Sequence, residues 1–551
     1  MAHPVTGSIE GAEWRWVLLW TAVVLLAVNV PYALGAVMST PELEFGGAVY
    51  AVEDMNSYFA KMRQGERGAW LFRIPYTAEE HPGTIIYLFY LLLGKAAAVL
   101  GLSLEGTFHL ARLVCGAICM LAVYRFLAHY TPLRAVRRIA FLLVAFSGGM
   151  GWLFILTGQT GWLGSLSIDL ILPEGYGFLI LYSAPHIALA TAGLLLGLVW
   201  VESGCARHDV RLALAGAAAF LVVALIAPFY LLIPCGVLGV HWLVVSVRQR
   251  RPDWKAAWLI VLSALPSGAV VGYDYYYFTF DPVYRAWAAQ NLVRSPHPLH
   301  YLAGYLVVGA LALVGGVWAV RRRRWSLGLP LIWLAVVPLL LYVPFNAQRR
   351  LIIGAQVPLC LLAALGWVHC VALPFGRSRF VRWLGRHPRY SRAGMRRFLT
   401  AILILLASLT NPLLILGNSV QVARPRPPIY HSRAELDALE WLRAHTAPED
   451  IVLCAYETGN YLPVRAGNRV LLGLGTETLD AERKRAEVGR FYNAGESDAW
   501  RRELLRQYGI AYVLVGPNER SLGSFLPGEA AYLRPVYASD SYAIYRVEVG
   551  P

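Results

Sequence analysis

Charge is what this chain of 551 residues has least of. Only 15% of it is Asp, Glu, Lys or Arg and 57% is apolar, whereas soluble proteins run at about 25% charged and about 45–50% apolar. That balance excludes a purely soluble protein. Acid is scarcer than base, 34 residues against 49, which leaves a formal net charge of +15. The basic residues sit in short clusters between apolar runs rather than along one polar face, which argues against nucleic acid as a partner and for membrane topology signals. Cysteine is sparse as well. Of the seven, only Cys454 lies in polar sequence, while Cys115, Cys119, Cys205, Cys235, Cys360 and Cys370 lie in or beside apolar segments. No zinc site or disulfide framework is legible, and neither is an internal repeat.

Long apolar runs are what is present instead. A span needs about 20 mostly apolar residues, and runs at about 14–37, 105–128, 139–157, 179–201, 212–227, 229–247, 256–273, 299–320, 327–344, 351–372 and 398–420 predict about eleven transmembrane helices. The first run is too long for a signal-peptide core and reads as an anchor, with the N-terminus cytoplasmic. The odd count then puts the C-terminus outside. Basic clusters support that frame: Arg134, Arg137 and Arg138; Arg207 and Arg211; Arg248, Arg250, Arg251 and Lys255; Arg321 to Arg324; and Arg377, Arg379, Arg382, Arg386, Arg389, Arg392, Arg396 and Arg397 all fall in loops assigned to the cytoplasm. The run Ile85 to Leu100, opened by His81-Pro82-Gly83 and interrupted by Lys95, would reverse every later cluster if it crossed. It is therefore expected to lie on the outer interface as a helix over about 82–101.

The predicted class is an α-helical polytopic membrane protein with a small C-terminal extracytoplasmic α/β domain. Residues 1–420 form the membrane domain, with a first outer loop at 38–104, and residues 421–551 form the outer domain. In the tail, Ser432 is a candidate N-cap with Glu435 three residues on. Short β-like runs are expected at 451–455, 470–472, 511–515 and 543–549, with helical stretches at 480–492 and 497–508. The expected location is the plasma membrane.

The polar chemistry gathers outside. Glu53 and Asp54 follow the first span, and a charge near the bilayer centre is costly, so they belong at the water boundary. Asp54 and Tyr58 are four apart and share one face of a helix. Further on come Glu79, Glu80 and His81, then Arg112 early in the next span. His186 follows Ser183-Ala184-Pro185. Arg349 and Arg350 stand together in a tight outer turn, against the positive-inside pattern. The aromatic run Tyr273 to Phe280 is expected in an outer loop, as a sugar-stacking wall or an interfacial belt.

This order of features resembles the GT-C superfamily of membrane glycosyltransferases: a first span, an acid with Tyr four later, a Pro-containing segment opening an aromatic interfacial helix, then Gly101-Leu102-Ser103 and a span with Arg112. The resemblance is to the branch with protein O-mannosyltransferases and aminoarabinose transferases and covers mainly residues 15–130. The tail segments GNYLPVRAGNRV and YVLVGPNER look like the outer domain of bacterial members. The resemblance implies sugar transfer from a polyprenyl-phosphate donor to an acceptor on the outer face, with Asp54 as the loop acid and Tyr58 as its aromatic. Two positions depart from the pattern. Met55 stands where many relatives have a second acid, although Glu53 precedes Asp54, and His81 stands where many have Lys before the Pro.

The residue chemistry suits that task on its own terms. A carboxylate can take the acceptor proton, and outer cations can stabilise the leaving phosphate. Asp54 and Glu53 are the catalytic candidates, with inversion expected. Arg349, Arg350, His81 and Arg112 are the donor-phosphate candidates, and Tyr58, Glu80 and His186 are the substrate-positioning ones. No cofactor is legible in the sequence, and a divalent metal, Mg or Mn, stays open because Glu79 and Glu80 offer oxygen ligands. The partners expected are the polyprenyl-phosphate sugar, membrane lipid and an extracytoplasmic acceptor. Two other classes fit a polytopic chain: a lipid or glycan transporter, which would place ionisable groups mid-span, and a non-catalytic scaffold with an outer binding domain. Each acid and arginine also has a plain reading, as a solvated helix end or a cation reaching lipid headgroups.

Overall fold

A computed structural model describes residues 8–379, 381 and 391–548; Arg382, Arg386 and Arg389 of the long basic block lie outside the described residues. Seven helices among the described residues are long and apolar enough to cross a membrane, including α1 (Gly11–Val37). Two further pairs meet the same test as broken spans: Pro298–Gly304 with Leu306–Arg321, bent by 87°, and Arg392–Ala407 with Thr410–Val422, bent by 45°. The two remaining expected spans are the shorter apolar helices Val210–Ile226 and Trp325–Leu340. Every expected run thus falls on a helix or a broken pair. The chain is a multi-pass membrane protein.

Three expected boundaries are corrected. The run expected to end at 273 continues as one helix, Trp254–Phe280, so the aromatic run Tyr273 to Phe280 is its last two turns and not a loop. Asp281 ends it and caps the next helix, Pro282–Gln290, by accepting the Val283 and Tyr284 N–H groups. The run at 179–201 is divided by Pro185 into Gly177–Tyr182 and Pro185–Arg207. The interfacial helix starts at Leu88 rather than near 82, because Thr84 exchanges backbone hydrogen bonds with Phe72 and Tyr87 takes a left-handed conformation.

Two compact units divide the chain, one of the residues up to Val30 with Arg112–Tyr273 and Val293–Gly417, the other of Pro31–Ala111, Asp274–Leu292 and Asn418 onward. The first holds most of the spans. Its helices meet through small residues, as membrane helices do where lipid offers no hydrophobic drive to pack: a β-carbon on Gly315 would lie 2.0 Å from the Leu362 carbonyl oxygen, and one on Gly366 2.3 Å from that of Leu311.

The second unit assembles the first outer loop with the tail. Strand β1 (Leu43–Phe45) pairs antiparallel with β2 (Tyr430–Ser432), Glu44 opposite His431. Ser432 then caps the helix Arg433–His445 by accepting the Glu435 N–H at 3.1 Å. The tail sheet has the order β4 (Arg469–Val470), β3 (Ile451–Leu453), β5 (Ile510–Val515), β7 (Ala543–Val547), β6 (Leu533–Ala538). The pairs β4–β3 and β3–β5 are parallel, and β5–β7 and β7–β6 antiparallel. β3 is buried along its whole length, as its unbroken apolar sequence requires of an inner parallel strand. β6, which carries Arg534 and Pro535, was not among the expected strands.

The outer loop itself folds as two helices, α2 (Val52–Glu66) and α3 (Leu88–Leu100), which touch backbone to backbone. A β-carbon on Gly65 would lie 2.0 Å from the Leu91 carbonyl oxygen, and one on Gly94 1.8 Å from that of Met62. Gly94→Ala therefore forces α2 and α3 apart and is expected to destabilise the protein by about 1–3 kcal/mol, as overpacking does. Gly417→Ala, where nothing lies within 4 Å, serves as the control. Thermal unfolding in detergent reads both, with a lower midpoint for Gly94→Ala only.

Candidate functional site

α2 starts at Ala51 in a left-handed conformation with no side-chain cap, and its first turn carries Glu53 and Asp54. The unsatisfied N–H groups and the helix dipole favour negative charge there. Both acids are exposed, while the residues after them turn inward: Asn56, Ser57, Phe59 and Lys61 are buried. Glu53 accepts a hydrogen bond from the Tyr456 hydroxyl at 2.8 Å. Burial and the neighbouring Glu53 push the Tyr456 phenol up to about 12, so it remains a donor near neutral pH. The same oxygen receives the Gly475 N–H at 3.2 Å. Beside them, Asn56 donates to Asn460 at 2.8 Å, and the Tyr76 hydroxyl donates to the Asn460 carbonyl at 3.0 Å.

An aromatic wall stands one turn beyond Asp54. Tyr58 stacks on Tyr90 of α3 with ring centroids 4.5 Å apart and planes 8° from parallel. Next to it the Lys61 ammonium donates to Glu477 Oε1 at 2.7 Å and to Ser57 Oγ. Desolvation lowers the Lys61 pKa from the usual lysine value, opposed by the Glu477 carboxylate. The remaining ties on α2 are arginines: Arg63 Nε donates to the Val464 carbonyl at 2.8 Å and Arg67 to that of Ala466 at 2.6 Å, at the end of α5 (Tyr456–Arg465).

The loop between α2 and α3 is held by its own polar groups. His81 Nε2 accepts the Ile74 N–H at 2.8 Å, and Nδ1, 2.8 Å from the Glu79 carbonyl oxygen, is the donor. The imidazole is therefore neutral, and burial lowers its pKa below the usual histidine value. Neither ring nitrogen is left for a phosphate. Glu80 is exposed and pairs with Arg469 at 3.0 Å, which holds its carboxyl below the usual range. Glu79 takes Lys484, from α6 (Ala481–Phe491), at 2.7 Å. With both carboxylates committed to cations, they do not present a ligand set for Mg or Mn. No group of three or more His, Cys, Asp or Glu side chains able to hold a metal is gathered among the described residues.

The structure brings Glu53, Asp54, Tyr58, Glu80 and His81 into one compact unit, and Arg112, His186, Arg349 and Arg350 into the other. Arg112 is buried and donates to the Tyr182 carbonyl at 2.9 Å and to the Asn29 side chain. His186 is half-buried in the first turn of Pro185–Arg207. Arg349 and Arg350 lie in a short 3₁₀ turn, Gln348–Ile352. Arg350 Nε is 3.7 Å from Glu174, a partly exposed pair. Sequence reasoning missed Ser57, Lys61, Tyr456, Asn460 and Glu477. Only Lys61 left a trace, as a lone cation on the otherwise apolar stretch Phe59 to Met62.

Together these features define a multi-pass membrane protein that displays two acids at a helix N-terminus over an aromatic wall. No protein-family model matches the chain, and no curated protein matches it. Solved structures do. Oligosaccharyltransferase AglB from Archaeoglobus fulgidus, solved with an inhibitory peptide and a dolichol-phosphate, aligns with a TM-score of 0.52 at 14% identity over 92% of this chain and 70% of that one. ArnT from Cupriavidus metallidurans aligns at 0.52 and 12% over 98% and 100%, and arabinofuranosyltransferase AftD from Mycobacteria at 0.56 and 16% over 97% and 40%. The chain has the fold of the GT-C membrane glycosyltransferases.

His81 generates a pH prediction. Its folded pKa lies below the unfolded value of about 6.5, so its contribution is present above that pH and is lost as pH falls through the lower folded pKa, when Nε2 takes a proton and releases the Ile74 N–H. The thermal midpoint is expected to fall below about pH 6.5 more steeply in the wild type than in His81→Gln, as measured by unfolding scans across pH 5 to 8.

Proposed function

We propose that the protein is a glycosyltransferase that moves a sugar from a polyprenyl-phosphate donor to an extracytoplasmic acceptor. The observation that carries this reading is the exposed Asp54 in the uncapped first turn of α2, one turn from the Tyr58–Tyr90 stack. The GT-C fold supports it, and so do the dolichol-phosphate and peptide bound by the archaeal neighbour. In this reading the N-terminus is cytoplasmic and the acids face outward.

The reaction is a single displacement. Asp54 accepts the proton of the acceptor hydroxyl or amine as its lone pair attacks the anomeric carbon. The bond from that carbon to the phosphate oxygen breaks, and polyprenyl phosphate leaves with the electron pair. The configuration at the anomeric carbon inverts. Glu53, fixed by the Tyr456 hydroxyl, orients the acceptor beside Asp54, and the Tyr58 ring packs against a sugar face. Arg350 and Arg349 receive the donor phosphate, where fixed cations stabilise the developing charge. Glu174 holds Arg350 until the phosphate replaces it. Arg112, already bonded to a carbonyl and an amide, keeps its span in register, and His81 shapes the loop through its two backbone bonds. Glu80, exposed beside Arg469, and His186 remain assigned to substrate positioning.

Purified protein in lipid, given a panel of radiolabelled polyprenyl-phosphate monosaccharides, tests this. One donor is expected to be consumed, with turnover reduced by about 10²–10⁴ in Asp54→Asn, the range for loss of a general base. Arg350→Gln is expected to raise the donor KM with a smaller change in kcat. Equal turnover in Asp54→Asn would remove the assignment. Export of an intact donor without cleavage would mark a transporter.

A further inference from the structure

Lys61 lies seven residues after Asp54, so both fall on one face of α2. Its ammonium is fully buried, which is rare for lysine. Ser57 Oγ donates to the same Glu477 oxygen as Lys61, at 2.7 Å, so the three groups form a closed cluster. Three rings line the ammonium: Tyr87 at 4.1 Å, Phe72 at 5.4 Å and Tyr58 at 5.6 Å from ring centroid to Nζ. The second oxygen of Glu477 is buried with no hydrogen-bond partner among the described residues.

A buried ion pair is a poor device for stability alone, since apolar residues of similar volume often do as well or better. What the pair does here is tie the acid-bearing face of α2 to the tail loop, with the cation on the α2 side. Glu477 sits on the loop Gly473–Thr478, which touches α2 a second time through Gly475, Tyr456 and Glu53. The backbone of that loop is held in turn, because Trp287 Nε1 donates to the Thr476 carbonyl at 2.9 Å and Gln290 to that of Thr478 at 2.8 Å. The charged and titratable groups facing the ammonium are thus Asp54 and Tyr58 from α2, Glu477 from this loop and Tyr87 before α3.

We propose that Lys61 is a positioning residue for Asp54: clamped by Glu477 and Ser57, it holds the face of α2 that carries the acid and keeps that acid ionised for proton abstraction. This rests on the transferase reading above. The charge lies about 10 Å along the helix from Asp54 at 1.5 Å per residue, close enough to bias a carboxylate through protein and too far to touch substrate beside it.

The test uses the full chain in lipid with the donor that the wild type consumes. Lys61→Met is expected to lower kcat at least tenfold with KM changed less than threefold, and to move the acid limb of the rate profile up by roughly 0.3–1 pH unit, the Coulomb effect of one charge at that distance. Lys61→Arg is expected to restore the limb. Because Lys61→Met strands a buried carboxylate and can unfold the protein, the double variant Lys61→Met with Glu477→Met is measured beside it. That variant is expected to keep the wild-type thermal midpoint and still show the lowered kcat, with the acid limb close to its wild-type position because both charges are gone. A folded double variant with wild-type kcat overturns the positioning role alone, whereas a wild type that consumes no donor overturns the transferase reading together with it.

Discussion

The ammonium of Lys61 cannot be buried without an anion, and Glu477 is that anion. The constraint reaches far, because the two residues lie 416 positions apart. Meeting it brings the loop Gly473–Thr478 against α2, and with the loop come Gly475, Tyr456 and the hydrogen bond that orients Glu53. One turn further along α2, steric exclusion sets the approach of α3, where Gly65 and Gly94 let two helix backbones touch. A helix gripped in this way keeps its first turn in one place although that turn has no cap of its own.

The same logic separates the charges of this unit by what they bind. Glu79 and Glu80 have cation partners, Lys484 and Arg469, and His81 spends both nitrogens on the backbone. Of these, Glu79 and His81 shape the loop. Glu53 and Asp54 keep their carboxylates at the surface, where a helix N-terminus supports negative charge. In the other unit Arg350 pairs with Glu174 at 3.7 Å.

Much of the fold was legible because membrane spans announce themselves: each expected apolar run lies on a helix or on a broken pair of helices. Their ends were less so. The helix Trp254–Phe280 outruns its apolar stretch because Tyr and Phe suit a helix end as well as an interfacial loop. The late start of α3 depends on a backbone bridge between Phe72 and Thr84, which no side-chain pattern encodes. In the site, Asp54 and Tyr58 were readable from their spacing on one helix. Glu477 was one of several scattered acids in the tail, and pairing it with Lys61 requires the tertiary fold. Tyr456 and Asn460 were invisible for the same reason.

If Asp54 drives a single displacement at an anomeric carbon, the stereochemistry of transfer records it. With a polyprenyl-phosphate sugar of one defined anomer as donor, the anomeric proton of the first product is followed by NMR before mutarotation sets in. The account predicts the opposite anomer. Retention would require a covalent glycosyl intermediate or another nucleophile and would contradict it.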